Sequence, residues 1–148
     1  MTDSLRVYVA GGSDSMPRVQ HAVARLRALG ITIASTWLDV VTATPGGANP
    51  RDASEETRAG WSQTDLNEVA GADLLWFLTP SPGVTRGAWV ELGYALATGK
   101  TAVCSGDTKQ SVFCALAHEF GTDDEAIDFI VKYAGCRTLI GRVQKATP

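Results

Sequence analysis

Two carboxylates are placed where a sequence can set up chemistry. Glu91 lies in Thr79–Lys100, TPSPGVTRGAWVELGYALATGK, just after a Pro/Gly loop and near the start of a helical segment. Ala88, Leu92, Ala95 and Leu96 recur there at helical spacing and would face a sheet. Asp65 follows Trp61 by four residues in an earlier helical segment, so both project from one face. Partial positive charge at a helix N-terminus favours an ionised carboxylate. A lone Glu there is also simply a favoured first-turn residue. Carboxylates and aromatic rings that converge on one crevice make a small-molecule site, so the question passes to the elements that carry them.

Leu74–Leu78 (LLWFL) and Thr101–Ser105 (TAVCS) are short apolar runs of the kind that form buried strands. With the helix between them, closed by Gly99, they predict a β-loop-α-β unit with parallel strands and the loop at their carboxyl edge. Upstream, Leu5–Ala10 reads as a first strand, followed by the flexible turn GGSDS. That turn is not a dinucleotide fingerprint. Val19, Ala22, Val23, Leu26 and Leu29 mark an amphipathic helix ended by Gly30. Ile31–Leu38 reads as a second strand with Trp37 at its carboxyl end. Residues 40–56, rich in Gly, Pro, Thr and Asn, predict a mobile lid or a disordered loop. A helix over Ser54–Ala70 would bury Leu66, Val69 and Ala70. Trp76, mid-strand, reads as core. Phe113–Phe120 fits either a last strand or a helical turn, and Thr122–Glu125 caps a final helix. The tail after Cys136 carries little pattern.

Alternating strands and helices predict one α/β doubly wound, flavodoxin- or Rossmann-like domain over residues 1–148. Its five-stranded, mostly parallel sheet has the order 2-1-3-4-5, with helices on both faces. The crevice then opens between strands one and three at their carboxyl ends. The GGSDS turn, the TPSPGVTRG loop and the start of the Trp61–Asp65 helix all reach it.

Composition narrows the class. The 148 residues, 45% hydrophobic and 20% charged, are those of an ordinary globular domain. A net charge of −3 and a pI near 5.3 argue against a surface that coats nucleic acid. No apolar run approaches a membrane span and no signal-peptide pattern opens the chain, so the expectation is a cytoplasmic protein without membrane partners. Three widely spaced cysteines read as buried thiols in a reducing compartment. Two separated histidines suggest no metal centre.

With these residues placed, the sequence resembles the nucleoside 2-deoxyribosyltransferase family. The match is best over Ser62–Lys100, where Asp65-Leu66 falls on the family's NDL pattern and Glu91-Leu92-Gly93-Tyr94-Ala95-Leu96 on its ELGYAL segment. VYVAGG places Tyr8 on the family's strand-one tyrosine. Resemblance extends over residues 5–104, is poor across 40–56 and weak after Gly106. Trp89 stands where the family has a glycine, either narrowing the sugar pocket or filling space against a neighbouring helix or subunit.

The resemblance implies attack of Glu91 on C1′ of a (deoxy)ribosyl group, with protonation of the leaving base by Asp65 and orientation of Glu91 by Tyr8. It implies substrate contacts from Gly11, Ser13, Ser81, Thr85, Arg86 and Gly87, while Trp37 and Trp61 could sandwich a base. No cofactor is implied. The family's nucleoside transferases carry an acid six positions before the nucleophile, whereas the related 2'-deoxynucleoside 5'-monophosphate N-glycosidases carry a serine. Here the residue is Thr85. A hydroxyl there, with Ser81 and Arg86 nearby, tilts the expectation toward a 5′-phosphorylated substrate and hydrolysis. Base exchange between nucleosides and a non-catalytic nucleotide-binding module are the alternatives. Relatives complete the pocket with a neighbouring subunit, so a homodimer or higher homo-oligomer is expected, acting on a nucleoside or nucleotide and not on a nucleic acid polymer.

Overall fold

The computed structural model describes the backbone of residues 4–146 and the side chains of residues 4–140. Five strands form one sheet: β1 (Arg6–Ala10), β2 (Thr32–Ile33), β3 (Leu74–Leu78), β4 (Thr101–Ser105) and β5 (His118–Phe120). Their order is β2-β1-β3-β4-β5, as the sequence predicts, and every neighbouring pair is parallel. The β1–β3 register sets Tyr8 beside Leu75 and Ala10 beside Phe77.

Side-chain alternation along the strands divides the core in two. Val7, Val9, Leu74, Trp76, Leu78 and Val103 face one layer, covered by α1 (Met16–Ala28) and α5 (Asp123–Ala146). Tyr8, Ala10, Leu75, Phe77, Ala102 and Cys104 face the other, covered by α3 (Glu55–Gly71) and α4 (Gly87–Ala97). Helices on both faces make this the doubly wound α/β arrangement. Trp76 is fully buried, and its indole N–H donates to Ser105 Oγ at 2.9 Å.

A polar network on the first layer locks the carboxyl ends of β3 and β4. Arg18 donates to the carbonyls of Thr79 (2.8 Å) and Ser105 (3.2 Å) and to both carboxylate oxygens of Asp123 (2.8 and 2.7 Å). Ser105 Oγ donates to the same Asp123 at 2.6 Å. Gly106 has φ +101°, and a Cβ there would stand 2.4 Å from Thr79 Oγ1, so only glycine lets β4 leave the sheet under this network. Ser81–Val84 is a turn closed by the Val84 N–H on the Ser81 carbonyl, with Pro82 and positive-φ Gly83 (+80°) in its centre.

Several expectations change. The second strand is two residues long, and Trp37 begins a helix, α2 (Trp37–Ala43), in place of ending a strand. The segment from 40 to 56 is therefore partly helical, with turns and bends from 44 to 53. Ala70 and Leu29 are exposed, Leu66 and Leu96 half-buried, and Val69 fully buried. Phe113–Phe120 holds both readings, a 3-10 turn over Val112–Leu116 and then β5. Cys104 and Cys114 are buried, but Cys136 is exposed. The patternless tail continues α5 to Ala146. The predicted cap forms, with Thr122 and Glu125 making a reciprocal capping box, and Ser54 likewise caps α3 by accepting from the Thr57 N–H.

Candidate active site

Tyr8, Asp65 and Glu91 come from three elements that meet on the second layer. Tyr8 is the third residue of β1 and points into the layer covered by α3 and α4. Asp65 is the eleventh residue of α3, so it sits mid-helix and not near a helix start, and it is half-buried. Glu91 is the fifth residue of α4 and is only 9% exposed. Helical spacing explains the last placement: Ala88, Leu92 and Ala95 bury one stripe, and Glu91 lies at its margin, facing α3.

Close approach shows in the electrostatics. Burial, and then the Asp65 charge, push the Glu91 carboxyl up to about 8, with Tyr8 opposing as a hydrogen-bond donor and Glu68 adding to the rise. Burial, and then Glu68, push Asp65 up to about 6. Tyr8 is driven far above the usual phenol range by burial, then by Glu91 and Asp65. The phenol acts on Glu91 as a donor would, yet its hydroxyl has no partner in hydrogen-bonding geometry. The phenol neighbours Glu91 without forming a hydrogen bond to it. Among the described residues Tyr8 OH is the buried side-chain polar atom left unpaired, at a cost of about 1–3 kcal/mol.

Because the two carboxyls interact, they titrate as a pair. One proton leaves near pH 6 and the other near pH 8, so at neutral pH the site holds one carboxylate and one carboxylic acid. That combination can attack an electron-poor carbon and donate a proton in a single step.

Glu68 is the residue that the sequence reading passes over. It follows Asp65 by three on the same face of α3, a spacing visible in TDLNEV. Its Oε2 accepts from the Thr36 N–H at 2.9 Å and its Oε1 from Thr36 Oγ1 at 2.6 Å. Thr36 is the residue before α2 and has no cap of its own, so Glu68 fastens α2 from outside.

The remaining candidates divide. Trp37, half-buried, donates its indole N–H to the Val9 carbonyl at 2.8 Å, which fixes it beside Tyr8 on β1. Trp61 is half-buried one turn before Asp65. Thr85 is half-buried, and Arg86 and Gly87 are exposed at the start of α4. No side chain caps α4, and no hydrogen bond or ion pair engages the Arg86 side chain among the described residues. Gly11 lies against Val19, where a Cβ would come within 2.8 Å. Ser13 is exposed in a short 3-10 turn beyond β1, and Ser81 is exposed beside Thr79 in a cavity of about 390 Å³ that also includes Arg18 and Gly106. A larger groove, about 680 Å³, runs along the outer side of α4 between Trp89, Val90 and Phe113. Trp89 also packs on Phe77 with ring centroids 4.5 Å apart. Neither cavity is lined by Tyr8, Asp65 or Glu91. Among the described residues no group of three or more His, Cys, Asp or Glu could hold a metal ion, and no helix is long and apolar enough to cross a membrane.

Comparison with known proteins places this geometry on a known scaffold. The chain is similar in structure to a 2-deoxyribosyltransferase from Bacillus psychrosaccharolyticus, with TM-score 0.56 and 21% identity over 68% of this chain and 71% of that one. It is also similar to a conserved protein of Enterococcus faecalis V583, with TM-score 0.59 and 17% identity over 88% and 99%. A third similar structure is the CMP N-glycosidase of Clostridium botulinum, with TM-score 0.51 and 13% identity over 86% and 98%. The chain has the fold of the nucleoside 2-deoxyribosyltransferases. No protein-family model matches the sequence, and no curated protein does. The resemblance read from Asp65-Leu66 and ELGYAL is thus matched in the fold, at identities that speak for the fold alone.

Proposed function

We propose that this chain cleaves the N-glycosidic bond of a (2′-deoxy)nucleoside 5′-monophosphate by hydrolysis, releasing free base and sugar phosphate. The observation that carries the reading is the buried Asp65–Glu91 pair over Tyr8, which holds one proton at neutral pH. The pair's proton, which rests on Glu91 in the free site, passes to Asp65 as substrate binds; a Glu91 carboxylate oxygen then attacks C1′ as the C1′–N bond breaks, and Asp65 delivers that proton to the departing base nitrogen. Asp65, now a carboxylate, takes a proton from water as that water attacks C1′ and frees Glu91. Tyr8, whose hydroxyl has no other partner, is available to hydrogen-bond Glu91 and hold it toward C1′. Residues 40–56 act as a mobile lid over the bound substrate, with Trp37 and Trp61 flanking the base.

The 5′ end favours a phosphate. Thr85, Arg86 and the first-turn amides of α4, beginning at Gly87, present donors and one unengaged cation. Ser81 and the Gly11–Ser13 turn add polar groups at the same sheet edge. A charge-assisted hydrogen bond contributes roughly 1.5–3 kcal/mol, about ten- to a hundredfold in binding. Exposed Val90, Val112, Phe113 and Leu116 form an apolar strip that supports a homo-oligomer.

A free-base assay over paired nucleosides and 5′-monophosphates, with and without an acceptor base, tests the reading. Nucleotides are expected to have the higher kcat/KM, and Thr85→Asp to reverse the preference by adding repulsion. Product that appears only with an acceptor base would make the chain a transferase. No base release from any substrate would leave it a binding module.

A further inference from the structure

We infer that Glu68 is a positioning residue: it takes the Thr36 amide out of the sheet, stops β2 short and thereby sets Trp37 across the end of β1 as a fixed wall of the base site. The inference rests on the N-glycosidic reading for what Trp37 faces, and on hydrogen bonds for how Trp37 is held.

The β1–β2 ladder has a period of two. The Thr32 N–H donates to the Leu5 carbonyl at 3.0 Å and the Ala34 N–H to the Val7 carbonyl at 2.8 Å, so the next rung would run from the Thr36 N–H to the Val9 carbonyl. That rung is not made. Glu68 Oε2 accepts from the Thr36 N–H at 2.9 Å, and Oε1 accepts from the Thr36 hydroxyl at 2.6 Å. The diversion would orphan both backbone groups of Val9 inside the protein. Side chains of the diverted segment satisfy them: Ser35 Oγ accepts from the Val9 N–H at 3.1 Å, and the Trp37 indole N–H donates to the Val9 carbonyl at 2.8 Å. Turned out of the ladder, Thr36 offers its carbonyl to the Asp39 and Val40 N–H groups, which opens α2.

Ser35, Thr36 and Trp37 are therefore each tied to another element, and Trp37 packs against both core layers, that of Tyr8 included. Glu68 stands one helical turn beyond Asp65 and two beyond Trp61 on one face of α3. The face that carries the second ring and the acid thus also fixes the first ring. An indole N–H lies in the ring plane, so the bond to Val9 holds Trp37 by its edge and leaves its faces to pack or to stack on a base.

The experiment follows the Trp37 indole N–H by ¹⁵N NMR, identified by its absence in Trp37→Phe, beside the kinetics of base release from nucleoside 5′-monophosphates. Glu68→Ala removes both acceptors and lets the Thr36 amide compete for the Val9 carbonyl. Exchange of the indole proton with solvent should quicken about ten- to a hundredfold. Glu68→Gln keeps a carbonyl for the Thr36 N–H without the charge, and should restore most of that protection. KM should rise about five- to thirtyfold in Glu68→Ala, the lower part of what a base–aromatic stack contributes, and little in Glu68→Gln, whatever the lost charge does to kcat. Unchanged indole exchange in Glu68→Ala, or equal losses in the Ala and Gln variants, would overturn the inference. Quickened exchange with an unmoved KM would remove Trp37 as a wall of the base site. If Glu68→Ala does not fold, coupling across the hydrogen bond in the wild type decides. The Thr36 amide nitrogen must couple to the Glu68 side-chain carboxyl carbon, and coupling to the Val9 carbonyl carbon instead, or none, overturns the inference. The NMR measurements need no turnover, so absent base release would count against the glycosidase reading and leave the placement of Trp37 by Glu68 separately tested.

Discussion

Replacing Glu91 with Gln should remove activity and, above neutral pH, make the protein more stable. Glu91 is 9% exposed, and burial followed by the Asp65 charge hold its carboxyl neutral up to about pH 8, against an ordinary value of 4.5. A folded-state value above the unfolded one means that the folded protein holds this proton more tightly. Stability from the neutral form is complete below about pH 4.5 and drains away as pH rises through about 8. At about 1.36 kcal/mol per pH unit, the interval sets a ceiling of roughly 5 kcal/mol. Asp65 relaxes once its partner is neutral, and the buried Gln amide needs hydrogen bonds of its own. The net gain at pH 8.5 should therefore be about 1–3 kcal/mol. For a chain of 148 residues this is a rise in Tm of roughly 3–10 °C. Calorimetric melts of both proteins at pH 5 and pH 8.5 give the answer: the Gln variant should gain at the higher pH and be near parity at the lower. A difference independent of pH, or a Gln variant less stable at pH 8.5, would refute the claim that an ionisable group at this position strains the fold. Base release retained by the variant would separately remove Glu91 as nucleophile.

Asp65→Asn should slow release of bases that leave poorly by about 10²–10⁴, and bases that leave well far less, measured as kcat across a substrate series; uniform slowing would point to a structural role. Partial burial works against ionisation of Asp123, but hydrogen bonds from Arg18 and Ser105 outweigh it and hold the carboxyl below its ordinary 3.8. Asp123→Asn should therefore cost roughly 1–3 kcal/mol near neutral pH, with the deficit vanishing in acid as the wild-type carboxyl is protonated. Denaturant melts at pH 7 and at a series of pH values falling below 3.8 report this, and a deficit that does not shrink along that series contradicts it. Phe113, 58% exposed beside Val112 at 81% and Leu116 at 70%, should lie in a subunit contact. Light scattering should give a dimer or larger species for the wild type and a monomer for Phe113→Glu; a wild-type monomer would end that expectation.

Local pattern was enough for much of this molecule. The apolar runs Leu74–Leu78 and Thr101–Ser105 flanking ELGYAL specify a parallel β-α-β unit, because strand burial and helical spacing are properties of contiguous residues. Ser54 and the Thr122–Glu125 box mark helix starts by bonding to amides within three residues. Asp65, Glu91 and Tyr8 were legible as candidates for one crevice through strand order and family resemblance; the burial that shifts them was not, since it depends on α3 and α4 packing side by side over β1. The β-branched run ITIAST reads locally as a strand. The chain instead turns into α2 because Thr36 is fastened to Glu68 and Trp37 to the Val9 carbonyl, bonds that span 32 and 28 residues. Glu68 itself went unread for the same reason, as its partner lies on another element. The protonation of the carboxyl pair belongs wholly to the tertiary structure: in the open chain both groups ionise near 4, and only burial in one seam makes them share a proton near neutrality.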